Sequence, residues 1–228
     1  ALIKEATKFF KYNVSMGKFG EDNRKVFVDD KTKTIIRSFD SIKNIQKIVP
    51  NVLYEMSVNK NNYPNLFFIF QDLKANGLNK KSIDIIFKLN YFKEYGDINY
   101  IIQQWNVYND VKAIIDKLEF CKQLKKIDCI NYGLDIDDVK KFANKETEKQ
   151  FKEIDNDKLY HYALDNYEKI VACISKKYPY EKAQKIQKIA YELAFSGYTN
   201  ITDNTIGSNI YCISSIEENK YGTRFITL

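Results

Sequence analysis

The alternation of apolar and polar residues between positions 66 and 96 predicts two short helices joined by a tight turn. The apolar run Leu66–Phe70, followed by Leu73, stops before Gly77, a residue that readily takes the left-handed conformation in which helices end. A second pattern opens at Lys80–Ser82 and carries apolar residues at helical spacing: Ile83, Ile85, Ile86 and Leu89. The whole stretch has the form of a helix-hairpin-helix.

The turn of this hairpin is a candidate site for a phosphate group. The first N–H groups of a helix have no intrahelical partner, and they lie at the positive end of the helix dipole. Lys80 and Lys81 add positive charge at that end, which suits an anion. Contacts of this kind hold a DNA backbone without reading its bases. The same pattern also occurs in helical bundles whose lysines are only solvated.

The periodicity of the remaining chain predicts a mainly α fold. The predicted helices cover residues 2–11, 46–56, 98–118, 157–177 and 180–197, and Gly197 is a C-cap for the last of them. The predicted strands cover residues 25–28 and 32–37, which form a β-hairpin, and residues 210–216 and 223–228. A loop is expected over residues 13–20. The turn at Ser41–Ile45 and its helix repeat the turn-then-helix arrangement of residues 77–92.

Two local features each allow a chemical and a structural interpretation. Asp135, Asp137 and Asp138 have the residue types of a two-metal cluster, but they stand directly before a helix, where carboxylates usually cap the first turn. Trp105 falls on the apolar stripe of the long helix and is assigned to the core rather than to base stacking. We therefore expect no metal site and no catalytic residue in this chain.

Composition narrows the function classes without choosing among them. The 228 residues include 36 Lys and Arg and 30 Asp and Glu, and the resulting net charge of +6 is compatible with DNA but does not demand it. A hydrophobic fraction of 44% excludes a disordered chain, and no apolar run approaches the roughly 20 residues of a membrane span. Four scattered cysteines and one histidine, His161, argue against zinc and for reduced thiols in the cytoplasm.

The two turn-then-helix units, in their order, resemble the region behind the fingers of the C-family replicative polymerases, the α subunits of bacterial DNA polymerase III. The residues that match the family's phrases are Ile35–Ile36, Ser41–Ile45, Phe70–Leu73, Leu78–Lys81, Ile85–Ile86, Leu89–Phe92 and Gly96. The tail Asn219–Leu228 is similar to the strand pair that begins the family's OB-fold domain. Lys145–Lys149 resembles a phrase that lies between the two regions in some members.

The resemblance implies four segments along the chain. They are a β-hairpin lead-in at 1–40, a tandem helix-hairpin-helix region at 41–130, a helical connector at 131–205 and the truncated start of an OB-like domain at 206–228. It also implies a parent DNA-directed DNA polymerase whose catalytic aspartates and Mg²⁺ belong to a palm outside this segment. The first residue, Ala1, and the strand-like end at Leu228 are those expected of an excised piece.

Two departures from the family pattern concern binding. Asn44 and Gln46 stand where the family usually has glycines, so we expect the first turn to grip DNA less well than the second. The resemblance also implies a sliding clamp and other replisome subunits as partners. No glutamine-led clamp-binding peptide is convincing, since Gln103–Trp105 lies within a helical stripe.

The leading hypothesis is a non-catalytic segment that holds duplex DNA by its phosphate backbone, without cofactor and without membrane contact. The residues assigned to this contact are Gly77, Asn79, Lys80 and Lys81, seconded by Lys43. Two alternatives remain open at this point. One is a stand-alone helix-hairpin-helix DNA-binding protein of a phage or plasmid, and the other is a helical protein-interaction domain.

Overall fold

The computed structural model describes residues 9–197 and the backbone of two further strands, 215–218 and 224–227. The fold is mainly α, as the sequence predicts. The chain divides into two compact units. Unit 1 comprises residues 1–98 and 182–228, and unit 2 comprises residues 99–181. The predicted segment 41–130 therefore runs across the boundary between the two units.

The described helices, in chain order, begin and end as follows. They are α1 (Val49–Val58), α2 (Leu66–Ala75), α3 (Lys80–Lys88), α4 (Ile98–Glu119), α5 (Lys126–Tyr132), α6 (Ile136–Lys140), α7 (Asn156–Asp165), α8 (Tyr167–Ser175) and α9 (Lys185–Ser196). Two short 3₁₀ helices, Phe39–Ser41 and Lys60–Asn62, lie on either side of α1.

The described strands form small sheets. They are β1 (Asn13–Met16), β2 (Phe27–Asp29), β3 (Thr34–Arg37), β4 (Gln123–Lys125), β5 (Ala143–Glu146), β6 (Gln150–Ile154), β7 (Ser215–Glu218) and β8 (Arg224–Thr227). The sheet of unit 1 has the order β1-β3-β2, with β1 parallel and β2 antiparallel to β3. The antiparallel sheet of unit 2 has the order β4-β6-β5. The last two strands pair with each other.

Several elements that the sequence predicts are present in the structure. The helices α2, α3 and α4 and the β2–β3 hairpin are confirmed. Two C-terminal strands pair as expected, but the first is Ser215–Glu218 and not 210–216, of which residues 210–214 lie outside the described residues. The predicted loop at 13–20 is wrong at its start, since β1 pairs there with β3. The helix expected over 2–11 lies outside the described residues except for its end, and residues 198–214 and 219–223 lie outside them as well.

Three predicted helices differ from the observed ones. The helix predicted over 157–177 is two helices, because Asn166 leaves the helical conformation between α7 and α8 with a ψ of 21° and turns its amide to the Tyr162 carbonyl. The helix predicted from Gln46 begins at Val49, and the helix predicted from residue 180 begins at Lys185. Gly197 does end α9 in the left-handed conformation, at a φ of +70°.

The core of unit 1 is aromatic and includes a buried polar network. Phe19 is fully buried and meets the rings of Tyr63, Tyr91 and Phe92 at centroid distances of 5.1 to 6.1 Å. The Tyr91 hydroxyl lies 3.1 Å from the Ser57 hydroxyl and accepts a hydrogen bond of 2.9 Å from the amide of buried Asn23. Burial raises the pKa of Tyr91 to about 12, so this network is neutral across the physiological range.

Unit 2 has its own apolar core around α4. Its buried members include Val107, Val111, Leu118, Leu124, Phe151, Leu159 and Ile170. Trp105 is buried, with 8% of its surface exposed, as the apolar stripe predicts. Among the described residues, Cys121, Cys129 and Cys173 are free thiols, and no helix is both long and apolar enough to span a membrane.

Candidate nucleic-acid interface

The turn between α2 and α3 is closed by hydrogen bonds at both of its ends. The N–H of Leu78 donates to the Leu73 carbonyl at 3.2 Å, and the N–H of Gly77 donates to the Lys74 carbonyl at 2.9 Å. This pair of bonds is a Schellman motif, and it requires the left-handed conformation that Gly77 adopts at a φ of +73°. The Leu78 side chain is buried, and this burial fixes the direction in which the chain enters α3.

The first turn of α3 is ordered by its N-cap residue. The Asn79 side chain accepts a hydrogen bond of 2.8 Å from the N–H of Ser82. Lys80 and Lys81 follow, and both are exposed. Their N–H groups occupy helix positions that have no intrahelical acceptor. The hairpin thus places two exposed lysines at the end of α3 where the first N–H groups have no intrahelical acceptor.

Gln46, in the turn before α1, forms hydrogen bonds with Asn79 and Ser82 at the start of α3. Its side-chain oxygen accepts a hydrogen bond of 2.7 Å from the N–H of Asn79, and its own N–H donates to the Ser82 hydroxyl at 3.0 Å. Its side-chain nitrogen makes a longer contact of 3.5 Å with the Gly77 carbonyl. The N–H groups of Asn79 and Ser82 are therefore satisfied within the protein, so a bound phosphate would use the N–H groups of Lys80 and Lys81.

The turn before α1 lies beside the hairpin because of these bonds. Asn44 adopts the left-handed conformation there, at a φ of +63°, at a position where the resemblance places glycine. The N–H of Lys43 donates to the Phe195 carbonyl of α9 at 3.2 Å. Helix α1 then begins with Val49 and Pro50, and Ile48 gives it no side-chain cap.

The lysines of the two turns have no carboxylate partner in the part of the chain that the structure describes. Lys43, Lys47, Lys80 and Lys81 are exposed, and none forms an ion pair with a described residue. Lys88, at the far end of α3, differs because its ammonium pairs with Asp84 at 2.6 Å and lies over the Tyr191 ring. The free positive charge is thus concentrated at the turn end of the hairpin.

The net positive charge of the chain also belongs to unit 1, the unit that contains the hairpin. Unit 2 contains 14 Lys and Arg and 15 Asp and Glu, a net charge of −1. Unit 1 contains the other 22 basic and 15 acidic residues, a net charge of +7. A surface with this excess attracts polyanions over about a Debye length.

The acidic cluster of unit 2 is a helix cap, as predicted. The Asp135 side chain accepts a hydrogen bond of 2.8 Å from the N–H of Asp137 at the start of α6. Asp138 pairs with Lys141 at 2.6 Å, and this contact lowers the pKa of its carboxyl group. No group of residues suited to a metal ion occurs in the described part of the chain.

The contribution of Gln46 could not be read from the sequence, because its partners are more than 30 positions away. No feature of the neighbouring sequence indicates that the Gln46 side chain connects the two turns. No family model matches this chain, and neither a curated protein nor a solved structure matches it.

Proposed function

We propose that unit 1 holds duplex DNA by its phosphate backbone, through the α2–α3 hairpin and the neighbouring turn before α1. The observation that supports this most is a pair of exposed lysines, without an ion-pair partner among the described residues, at the end of α3 where the helix dipole is positive. Lys80 and Lys81 supply charge and backbone donors, and Lys43 adds charge from the second turn. Gly77 and Asn79 shape the hairpin that presents them.

The proposed parent protein is a replicative DNA polymerase of the bacterial polymerase III α type. The support is the resemblance of the two turn-then-helix units, in which the left-handed Asn44 and Gly77 stand at glycine-type positions. Such a segment would hold the product duplex while nucleotide transfer takes place elsewhere in the parent enzyme. The helix-hairpin-helix and the OB-like start are part of this proposal.

Backbone contacts predict weak binding that depends on salt and is indifferent to sequence. The logarithm of the affinity should fall linearly with the logarithm of the salt concentration, with a slope that corresponds to a few released counterions. Base contacts would instead give discrimination between duplexes of equal composition. Fluorescence anisotropy with two such duplexes, at several salt concentrations, distinguishes the two modes.

The decisive variant is Lys80→Glu with Lys81→Glu, which reverses charge at the turn without changing the buried face of α3. DNA affinity should fall at least about tenfold, because two charge-assisted phosphate contacts become repulsive. The matched control is Lys43→Glu with Lys47→Glu, which changes the total charge equally and should cost less. Unchanged affinity in the folded Lys80 and Lys81 double variant would leave a helical protein-interaction domain as the better explanation.

A further inference from the structure

We propose that the sheet of unit 2 carries a separate phosphate-binding site, in a cavity beside β4 and β6. The cavity has a volume of about 580 Å³ and is lined by Lys122, Gln123, Lys152, Glu153 and Ile154. All of these residues belong to unit 2, so the site is independent of the hairpin proposed to contact DNA.

The shape of the cavity follows from a break in the alternation of β6. Phe151 is fully buried in the core, so the next residue, Lys152, points to the opposite face of the sheet. Glu153 then takes a left-handed conformation, at a φ of +54°, and the N–H of Ile154 donates to the Lys122 carbonyl at 3.1 Å. Ile154 is again buried, so the side-chain alternation of β6 is interrupted at Glu153 while its register with β5 continues unchanged, and space remains beside Lys152.

The positive charge in this cavity is not neutralised by described residues. Lys152 is partly buried and stands directly opposite Lys145 on β5, an arrangement of like charges that destabilises a sheet. The carboxylate in the lining, Glu153, is paired with Lys145. Lys122 donates to the neutral side chain of Asn156 at 2.8 Å. Within the described residues, no carboxylate pairs with Lys122 or Lys152.

A phosphate group supplies the charge and the acceptors that this cavity lacks. Lysine binds phosphate as a point charge through three N–H donors, and two lysines that line one cavity can share one phosphate. The phosphate can belong to a nucleic-acid backbone or to a small free anion. Since unit 2 as a whole has a net charge of −1, the attraction is local and does not depend on the field of the whole unit.

The test follows backbone amide signals of the full 228-residue chain by nuclear magnetic resonance. The chain carries Lys80→Glu and Lys81→Glu, so that the proposed hairpin contact is removed and the two proposals can fail separately. Inorganic phosphate is titrated in one experiment and a short DNA duplex in another. We expect saturable shifts at Gln123, Lys152 and Ile154, weakened about tenfold by Lys122→Gln with Lys152→Gln.

The matched control is Lys176→Gln with Lys177→Gln, two exposed lysines of unit 2 that lie outside the cavity. This variant should titrate as the parent does. Saturation by phosphate alone supports a small-anion site, and saturation by the duplex supports a backbone contact. The proposal is overturned if neither probe saturates these signals, or if the Lys122 and Lys152 variant responds as strongly as the control.

Discussion

The two turns of unit 1 that precede α1 and α3 each contain one left-handed residue but are held by different bonds. The turn before α3 is determined locally, by a glycine with a φ of +73°, a Schellman pair of hydrogen bonds and an Asn N-cap within a few residues. The turn before α1 has an asparagine at a φ of +63° and no side-chain cap. Its order comes from distant partners, Ser82 and Phe195.

This difference implies a dependence of one turn on the other. The bonds that close the α2–α3 turn join residues 73–82 to one another, whereas the turn before α1 is bonded to α3 and to α9. The lysines of the first turn are therefore positioned only when unit 1 is complete. Four substitutions test this relationship, in order of decreasing effect on the free energy of unfolding of unit 1.

Gly77→Ala should have the largest effect. An added Cβ meets no atom within 4 Å, so the cost is the left-handed conformation itself, about 1–2 kcal/mol. Amide hydrogen exchange in α2 and α3 should report this loss. Fluorescence of Trp105 is unsuitable, because Trp105 belongs to unit 2. A change below about 0.3 kcal/mol would show that the turn does not require a residue of this conformational freedom.

Asn79→Ala should follow, with a loss of about 1 kcal/mol, because the N–H of Ser82 loses its capping acceptor. The variant Asn79→Asp is the control, since aspartate caps as well and adds favourable charge near the helix dipole. It should retain the stability of the parent and bind DNA less well. Equal destabilisation by both substitutions would contradict the capping role.

Gln46→Ala should cost less, about 0.5–1 kcal/mol, since its side chain is partly exposed and water can replace its bonds. Its distinctive effect is on the first turn, where the amides of residues 44–48 should exchange faster. A double-mutant cycle with Asn79→Ala measures the coupling between the two turns directly. Additive effects would show that the turns are independent.

Asn44→Gly should have the smallest effect, within about 0.5 kcal/mol, because relief of the left-handed conformation offsets the greater freedom of glycine in the unfolded chain. Asn44→Ala should be destabilising, since alanine adopts the left-handed conformation less readily than asparagine or glycine. Thermal melts monitored by the amide signals of α1 compare the two. A stabilisation well above 1 kcal/mol by glycine would mean that Asn44 strains this turn.

The parts of the fold that the sequence predicts are those determined by nearby residues. The apolar periodicity of α2, α3 and α4, the left-handed residues Gly77 and Gly197, and the capping position of Asp135 all depend on neighbours a few positions away. For this reason the predicted starts of α2 and α3 agree with the structure, although α3 ends at Lys88, before Leu89.

The parts that the sequence does not predict depend on distant pairing. β1 exists because β3 lies beside it, and β4 exists because β6 lies beside it, although each has only three or four residues. Helix α1 starts late because Asn44 is left-handed and Gln46 is bonded to Asn79 and Ser82 of the neighbouring turn. The candidate site follows the same division, since its lysines were apparent from the sequence and its bridging glutamine was not.

Unit 1 consists of two separate stretches of the chain, residues 1–98 and 182–228, and this affects the order in which the protein folds during synthesis. Asn99 donates to the Glu181 carbonyl at 2.9 Å, so the two ends of unit 2 are adjacent, and Ala183 donates to Asp97 at 2.8 Å within unit 1. Unit 2 is thus an insertion with a single point of entry and exit. On the ribosome its residues emerge and can fold while unit 1 still lacks α9. The lysine-bearing turn before α1 is then completed last, when Phe195 arrives to accept the bond from Lys43.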